Sequence, residues 1–586
     1  TLDDYRVIEP RWIQETWSFY ERRWGSKGKG QVLNEFFREL DNWFYKHYDT
    51  ELFRDEILNY VRQERQNLDL FHKNLRLVLG LEYWMSALGG FRGIIQYNFR
   101  YIDEDILGKA YETYLAGVRH EEGIYYTPKY ITQYIVENTV GDRLDKIIVK
   151  LRKNIEKEDL EAVKVQLAEF TSIRVLDPAC GSGSFLIKAV RKIWEKYKEV
   201  ESLLREAERK HNKWQGSFER QNEIAEKVEK IEQVMDVLGP RNDRELISKM
   251  LIRHIHGNDK DKKALDVAKL NIWLAAIKLS PAEFRYDKLP EDTNYILPDL
   301  EMNLCNGDSV VGLPENRTVN YLIKKHKEDV SKLCELRNEY LADPSNPKLI
   351  EQIIEIKTRL REDVNEEFKN YLEKVGLPVE VLDETIPFHW ALDFWYFYFD
   401  NKGEPLSGKS RGVHVVIGNP PYERIEILNK KAPIYVKYLN NAGFKAAVKQ
   451  YDLAAIFIEK GFNLLKVTGT FGYIVTNKFM RTKYGQGIRR YLSEKFAIKE
   501  IVDFGDQQVF EEVTTYTVLL FLSKEINHSL KFSLVIRLNK TYDQLLKIRN
   551  TEFLEEDSLI TFYCEAETLT AAEWRFSSPA ERKLEE

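Results

Sequence analysis

Apolar residues in this chain fall into two kinds of run. Short, continuous apolar runs that end in small or acidic residues read as buried strands, and runs with a 3.6-residue spacing read as helices. Ile173-Arg-Val-Leu-Asp177 leads into the small-residue turn Pro178-Ala179-Cys180-Gly181-Ser182-Gly183. Beyond it Leu186, Ala189, Val190, Ile193 and Tyr197 share one helical face. Ile252-Arg-His-Ile-His-Gly-Asn-Asp259 repeats the pattern, with an amphipathic helix through Ile277. Val413 to Ile417 is a third strand, closed by Gly418 and then Asn419-Pro420-Pro421-Tyr422. Two successive prolines cannot continue a ladder, so the chain leaves the sheet there. Strands alternating with helices predict an α/β fold with a doubly wound sheet. Residues 1–105 are rich in aromatics and helical by pattern, with 34–44 an amphipathic helix. Residues 197–250 and 314–385 are dense in Lys and Glu and read as helical insertions with solvated faces.

These patterns point to a ligand site. Open α/β sheets bind ligands at the carboxyl ends of their strands. Gly181 and Gly183 allow positive φ and leave room for a ligand against bare backbone. Their spacing is not G-x-G-x-x-G, which weakens a dinucleotide reading. Asp259 stands where the second strand of such a fold places an acid for ribose hydroxyls, with Asp261 as the fallback; the bland role for Asp259 is a helix N-cap. At the third strand, Asn419 and the Pro420 carbonyl can accept the two hydrogens of a planar amino group, while Tyr422 stacks on its ring. A proline-proline turn with a surface tyrosine is the plain alternative for that tetrapeptide.

Composition narrows the class. The 586 residues are 43% hydrophobic, enough for about three or four domains of ordinary size. The four cysteines form no metal or disulfide pattern, and no metal site is expected. Cys180 reads as a space-filler in its turn. No apolar stretch is long enough for a membrane span and no signal peptide is visible, which suggests a cytoplasmic enzyme. The chain begins at Thr1 without a methionine, so residues upstream are expected. A net charge of −6 is unexpected for a protein that grips a polyanion. Two local basic clusters offset it: Arg424, Lys430, Lys431, Lys437, Lys445 and Lys449 after the proline pair, and Arg481, Lys483, Arg489 and Arg490 further on. Solvated surface charge is the alternative for both. Pro298-Asp299 and Glu355-x-Lys357 echo a Mg-dependent nuclease by letters alone, and their separation favours coincidence.

Asp177-Pro-Ala-Cys-Gly-Ser-Gly-Ser-Phe-Leu186 followed by Gly418-Asn-Pro-Pro-Tyr422 resembles the N6-adenine DNA methyltransferases, and in particular the methyltransferase part of the fused type IIG restriction–modification enzymes. The likeness runs over roughly residues 105–525 with the motifs in family order. It implies a Rossmann-like seven-stranded methyltransferase sheet with helices on both faces, an N-terminal helical domain or connector over 1–105, a core over 106–525, and a linker with the start of a target-recognition domain over 526–586. It implies S-adenosylmethionine as cofactor, held by Thr127, Asp177, Pro178, Ala179, Gly181, Gly183, Asp259, Asp308 and Phe457. Thr127 belongs to Gly123-Ile-Tyr-Tyr-Thr-Pro128, Asp308 to Asn306-Gly-Asp-Ser309, and Phe457 to Tyr451-Asp-Leu-Ala-Ala-Ile-Phe-Ile-Glu459. The catalytic group is then Asn419, Pro420, Pro421 and Tyr422, with Tyr422 and Phe510 against a flipped adenine. Phe510, among Gln507, Gln508, Glu511 and Glu512, is equally readable as a loop anchor folded onto the core. Pro387-Phe-His-Trp-Ala-Leu-Asp-Phe394 also matches a stretch carried by the fused enzymes. One departure stands out: where the family has Phe-Asp before the catalytic strand, this chain has Val413-His414.

The expected partner is double-stranded DNA, with nuclease and target-recognition domains outside residues 1–586. The residues before the four cysteines are Ala, Leu, Leu and Tyr, so the Pro-Cys pair usual in carbon-5 cytosine methylation is missing. Asn-Pro-Pro-Tyr also serves enzymes that methylate protein glutamine or RNA guanine amines. A DNA-binding subunit that keeps the fold without catalysis is a further alternative.

Overall fold

The computed structural model describes residues 8–9, 11–48, 68–79, 81, 84–86, 89–91, 108–109, 126–212, 229–285, 287, 296–510 and 515–577. Among them ten strands form one mixed sheet. These are β1 (Val175–Asp177), β2 (Ile255–Asp259), β3 (Leu304–Asn306), β4 (Val413–Gly418), β5 (Leu465–Thr476), β6 (Ile498–Asp503), β7 (Thr517–Ser523), β8 (Ser529–Val535), β9 (Leu554–Glu556) and β10 (Leu559–Glu565). Their spatial order is β9-β10-β8-β6-β7-β5-β4-β1-β2-β3. β1 runs parallel to β2 and β4, and β4 parallel to β5, whereas β7 lies antiparallel between β5 and β6. The mixed α/β class is as expected, but the count of seven is not. Seven strands, β1 to β7, form a contiguous block, and β8, β9 and β10 extend it beyond β6. β8 pairs in parallel with β6 through Lys531–Glu500 to Leu534–Asp503. Ser529-Leu-Lys-Phe-Ser-Leu-Val535 lies in the segment expected as a linker and the start of a target-recognition domain, and its alternation is the mark of a half-buried strand rather than a central one.

Both faces of the sheet are covered. Alternate strand residues feed separate apolar clusters, because successive side chains point to opposite faces. Leu176 and Val416 join one cluster, and Val175, Val415 and Ile417 the other; Val413 falls with Leu176 because the pairing of β4 with β5 is irregular between Val413 and Val415. The first face is covered by the helices Glu315–Lys325, Lys327–Ala342 and Pro347–Val375, by the aromatic stretch 388–399, and by the helix Leu453–Leu464. The expected helical insertion at 314–385 is thus helical, and its long helix buries Ile353, Leu360, Val364, Phe368 and Leu372. The second face is covered by helices that include Lys129–Val136, Asp142–Glu156, Ser184–Asn212 and Lys262–Leu279. In the insertion at 197–250, residues 213–228 lie outside the described residues.

Near the N-terminus the helices Trp12–Trp24, Lys29–Tyr48 and Leu68–Val78 are described. The second contains the helix expected over 34–44, and Trp17, Val32, Leu33, Phe36, Phe37 and Leu40 form a small apolar cluster there. No helix among the described residues is long and apolar enough to cross a membrane.

Candidate functional site

β1 has β2 on one side and β4 on the other, and the chain winds outward in opposite directions from that pair. The loops after β1 and β4 therefore leave the same sheet edge side by side, at a topological switch point. Asp177 ends β1 with 1% of its surface exposed, and its Oδ1 accepts the Ala179 amide at 3.1 Å. Gly418 ends β4 so close by that a Cβ there would lie 2.6 Å from Asp177 Oδ1. The expected positive φ is observed at Gly181, 51°, and Gly183, 86°. A Cβ on Gly183 would stand 3.1 Å from that of Ala268, on the helix behind the turn. Cys180 is buried against Gly257, and burial pushes its thiol well above the usual range, which suits a space-filler.

The acids after β2 and β3 complete this edge. Asp259 Oδ2 accepts the Gly181 amide at 2.8 Å, and Oδ1 accepts the Asp261 amide at 2.9 Å. The helix cap is Asp261, which accepts from Lys263 N and Ala264 N. Asp259 thus braces the glycine turn. Asp308, 6% exposed, accepts from the Val310 amide at 3.1 Å, from the Thr385 hydroxyl at 3.2 Å, and from the Tyr435 hydroxyl. Burial raises the pKa of both acids, with backbone hydrogen bonds opposing it. Ser309 Oγ donates to the Pro178 carbonyl at 2.5 Å and contacts Asn258 Oδ1, tying the ends of all three strands together. Ser309 stood beside Asp308 in the sequence motif without an assigned role. Thr385 and Tyr435 carried no signal, because they arrive from distant segments.

The Asn419 side chain is held on both atoms. Its Nδ2 donates to Thr127 Oγ1 at 3.1 Å, and its Oδ1 accepts from the Tyr422 hydroxyl. The same hydroxyl lies 3.0 Å from the Ile474 carbonyl of β5. Thr127 is 3% exposed, just ahead of the helix Lys129–Val136; Gly123 to Tyr125 of its motif lie outside the described residues. After the prolines, the Ile425 amide donates to the Tyr451 carbonyl and the Leu453 amide to the Glu423 carbonyl. That pairing joins the exit of β4 to the helix Leu453–Leu464, in which Phe457 is 6% exposed. Pro178, Ala179, Pro420 and Pro421 supply backbone at the two exits.

Phe510 is 2% exposed, and its ring sits 6.5 Å from that of Tyr422 at 61°. The two rings meet edge to face. Glu511 and Glu512 lie outside the described residues. Of the basic residues, Arg424, Lys430, Lys437, Lys445, Lys449, Lys483 and Arg490 are exposed. Lys431 pairs with Glu423 at 3.3 Å and Arg481 with Asp503 at 2.6 Å. Arg489 is 2% exposed and donates to the carbonyls of Phe479, Thr482 and Ala571. It braces a turn and is not available to a phosphate.

The donor and acceptor set suits a ligand that brings several hydrogen-bond donors to this edge. Three carboxylates at the ends of β1, β2 and β3 suit a cationic ligand that carries ribose hydroxyls and an amino group. The turn beside them is held open by two glycines at positive φ.

Residues 253–510 match the family model described as Eco57I restriction-modification methylase. Residues 151–329 match the model of the MmeI DNA-methyltransferase domain. The type II restriction enzyme and methyltransferase RM.Eco57I of Escherichia coli is 25% identical over 452 residues, 74% of this chain and 33% of that protein. RM.MjaORFECS2P of Methanocaldococcus jannaschii is 24% identical over 541 residues, 78% of this chain and 41% of that protein. The chain therefore spans about a third to two fifths of the length of these relatives. The solved structure of MmeI in complex with DNA aligns with a TM-score of 0.43 at 13% identity, over 91% of this chain and 58% of that one. The chain resembles the type IIG-like DNA methyltransferases, as its motifs suggested.

Proposed function

We propose that this chain transfers a methyl group from S-adenosylmethionine to the N6 amine of adenine in duplex DNA, within a restriction–modification or phage-defence enzyme. The observation that carries the reading is the meeting of two motifs at one switch point. Asn419 leaves β4 beside the glycine turn that leaves β1, with its amide fixed by Thr127 and Tyr422. Asp259 and Asp308 would accept from the cofactor's ribose and adenine amine, Asp177 and Thr127 would line its methionine side, and Phe457 would lie against its adenine. The cofactor supplies an electrophilic sulfonium methyl.

The protein's part is to make a poor nucleophile reactive. The N6 lone pair of adenine is delocalised into the ring. Asn419 Oδ1 and the Pro420 carbonyl would accept its two hydrogens and localise that pair on nitrogen. Positioning and electrostatics then carry the rate, with no covalent enzyme intermediate. The target base must leave the duplex stack to reach this edge. Tyr422 would cover one of its faces, and Phe510 the other only after moving from its buried place. The exposed lysines and arginines after Pro421 would follow the DNA backbone.

The decisive experiment supplies labelled cofactor to duplex DNA, RNA and protein in parallel, and maps the methylated atom. Label on adenine N6 supports the reading. Label on glutamine amides or guanine amines would replace it with one of the alternatives. Cofactor binding without transfer to any substrate would point to a non-catalytic subunit.

A further inference from the structure

The opposite edge of the sheet carries an unusual group of cations. Arg174 stands just before β1, His414 near the start of β4 and Lys466 near the start of β5. These are the amino ends of parallel strands, away from the loops described above. Arg174 and His414 are linked both ways: the Arg174 amide donates to His414 Nδ1 at 3.1 Å, and the His414 amide donates to the Arg174 carbonyl at 3.1 Å. Lys466 Nζ lies 3.2 Å from His414 Nε2. Arg143 reaches in from the helix Asp142–Glu156 and donates to Thr468 Oγ1 at 3.3 Å and to its carbonyl. Behind Arg174, Arg337 places its guanidinium 4.1 Å from the Tyr396 ring, and Arg174 its own 5.2 Å from Phe397.

Among the described residues, Arg174, Arg337 and Lys466 have no carboxylate counterion. Arg143 feels Glu169 and Glu525 only at a distance. Arg174 Nη1 and Arg337 Nε are buried with no hydrogen-bond partner. The cations act on one another instead. Burial, then Arg174 and Arg143, bring the Lys466 amine down to about 8, and burial with Arg337 brings Arg174 down to about 9. With Nδ1 occupied by a backbone N–H, a neutral His414 carries its proton on Nε2, facing the lysine donor. Like charges gathered without an anion are costly, and two donors face to face add to the cost. His414 also belongs to the Val413-His414 pair at which the sequence departs from the pattern it otherwise resembles.

We propose that the amino edge of the sheet, between β1, β4 and β5, binds a small dianionic oxyanion of the phosphate class, with Arg143, Arg174 and Lys466 as its charged ligands. The anion takes the place of the missing carboxylate. Exposed Val467 and Thr468 mark the open side, and Arg337 and the aromatic stretch close the inner one. The site is independent of the methyl-transfer reading, since none of its residues touches the switch-point loops.

The test is a calorimetric titration of residues 1–586 with orthophosphate, against chloride at matched ionic strength, in the parental chain and in Lys466→Met and Arg143→Gln. Binding in the parental chain, weakened at least tenfold in both variants, is expected. A rise in melting temperature with phosphate that vanishes in Lys466→Met is expected with it. A parallel titration with ATP separates the sources: tighter binding than orthophosphate, equally lost in the variants, makes the ligand a nucleotide phosphate. Phosphate affinity unchanged by both substitutions, or no phosphate effect in the parental chain, overturns the proposal. So does a Lys466→Met chain that loses duplex DNA affinity while keeping its phosphate affinity.

Discussion

The Tyr422 hydroxyl has one proton and two acceptors in reach, Asn419 Oδ1 and the Ile474 carbonyl. In the proposed reaction the target amine needs the first of these, and the second gives the hydroxyl somewhere to go. Tyr422→Phe should therefore keep methyl transfer within about tenfold, because the ring still stacks, whereas Tyr422→Ala should lose about 1–3 kcal/mol of base binding; steady-state rates on duplex DNA separate the two. Asn419→Ala should remove a charge-localising acceptor and lower the rate by about 10²–10³, with cofactor affinity nearly unchanged by calorimetry. Cofactor affinity itself should depend on pH through Asp259 and Asp308. Burial raises both acids above the ordinary Asp value of about 3.9. Their contribution to stability is complete below that value and is lost as pH rises through their raised folded values. A ligand that donates to the ionised acids should bind more weakly as pH falls through those same values, earlier than a surface Asp would dictate; titrations down a pH series check it. Sequence alone located these acids but not their local work. Asp259 and Gly181 lie far apart in the chain, and so do Thr127 and Asn419, so the bonds between them had no local signature.

At the scale of elements, the two strand exits were legible because each is an apolar run stopped by a residue with a physical reason to stop it. Gly418 shows how little room those exits have. Gly418→Ala would place a Cβ 2.6 Å from Asp177 Oδ1, so that carboxylate and the turn after β1 must shift. Gly418 also holds φ at 154°, where a side chain is strained, so cofactor binding should weaken at least tenfold and the melting temperature should fall with it, as calorimetry and thermal denaturation would read. The loop carrying Phe510 was less legible, since a lone ring among polar residues fits both an anchor and a stacking surface. Its burial now favours the anchor. Phe510→Ala should cost about 3–5 kcal/mol of stability, as for other buried rings. It should also slow methylation of paired and unpaired target adenines alike; a loss confined to duplex DNA would restore Phe510 as a base contact. The alternating strand β8 escaped the sequence reading because its polar positions resemble those of an exposed tail, although Phe532 and Leu534 pack on the sheet.

At the scale of the whole molecule, residues 529–565 belong to the sheet and do not merely follow it. β8 covers the outer edge of β6, and β10 and β9 cover β8 in turn. Cutting the chain after residue 525 should bare the edge of β6 and the apolar surface under Phe532 and Phe562. Such a fragment should aggregate, while the chain through residue 577 stays in solution; sedimentation of the two expressed side by side decides it. The position of β7 adds a matter of timing. β5 and β6 are made first, yet they never pair, because β7 lies between them. As the chain leaves the ribosome, β6 has no neighbour until residues 517–523 emerge. Any earlier pairing of β6 with β5 would close the gap and have to be undone. The half of the sheet that carries the glycine turn and the half that ends in the tail are thus joined by a late, long-range step, and a slow phase in refolding should report the arrival of β7.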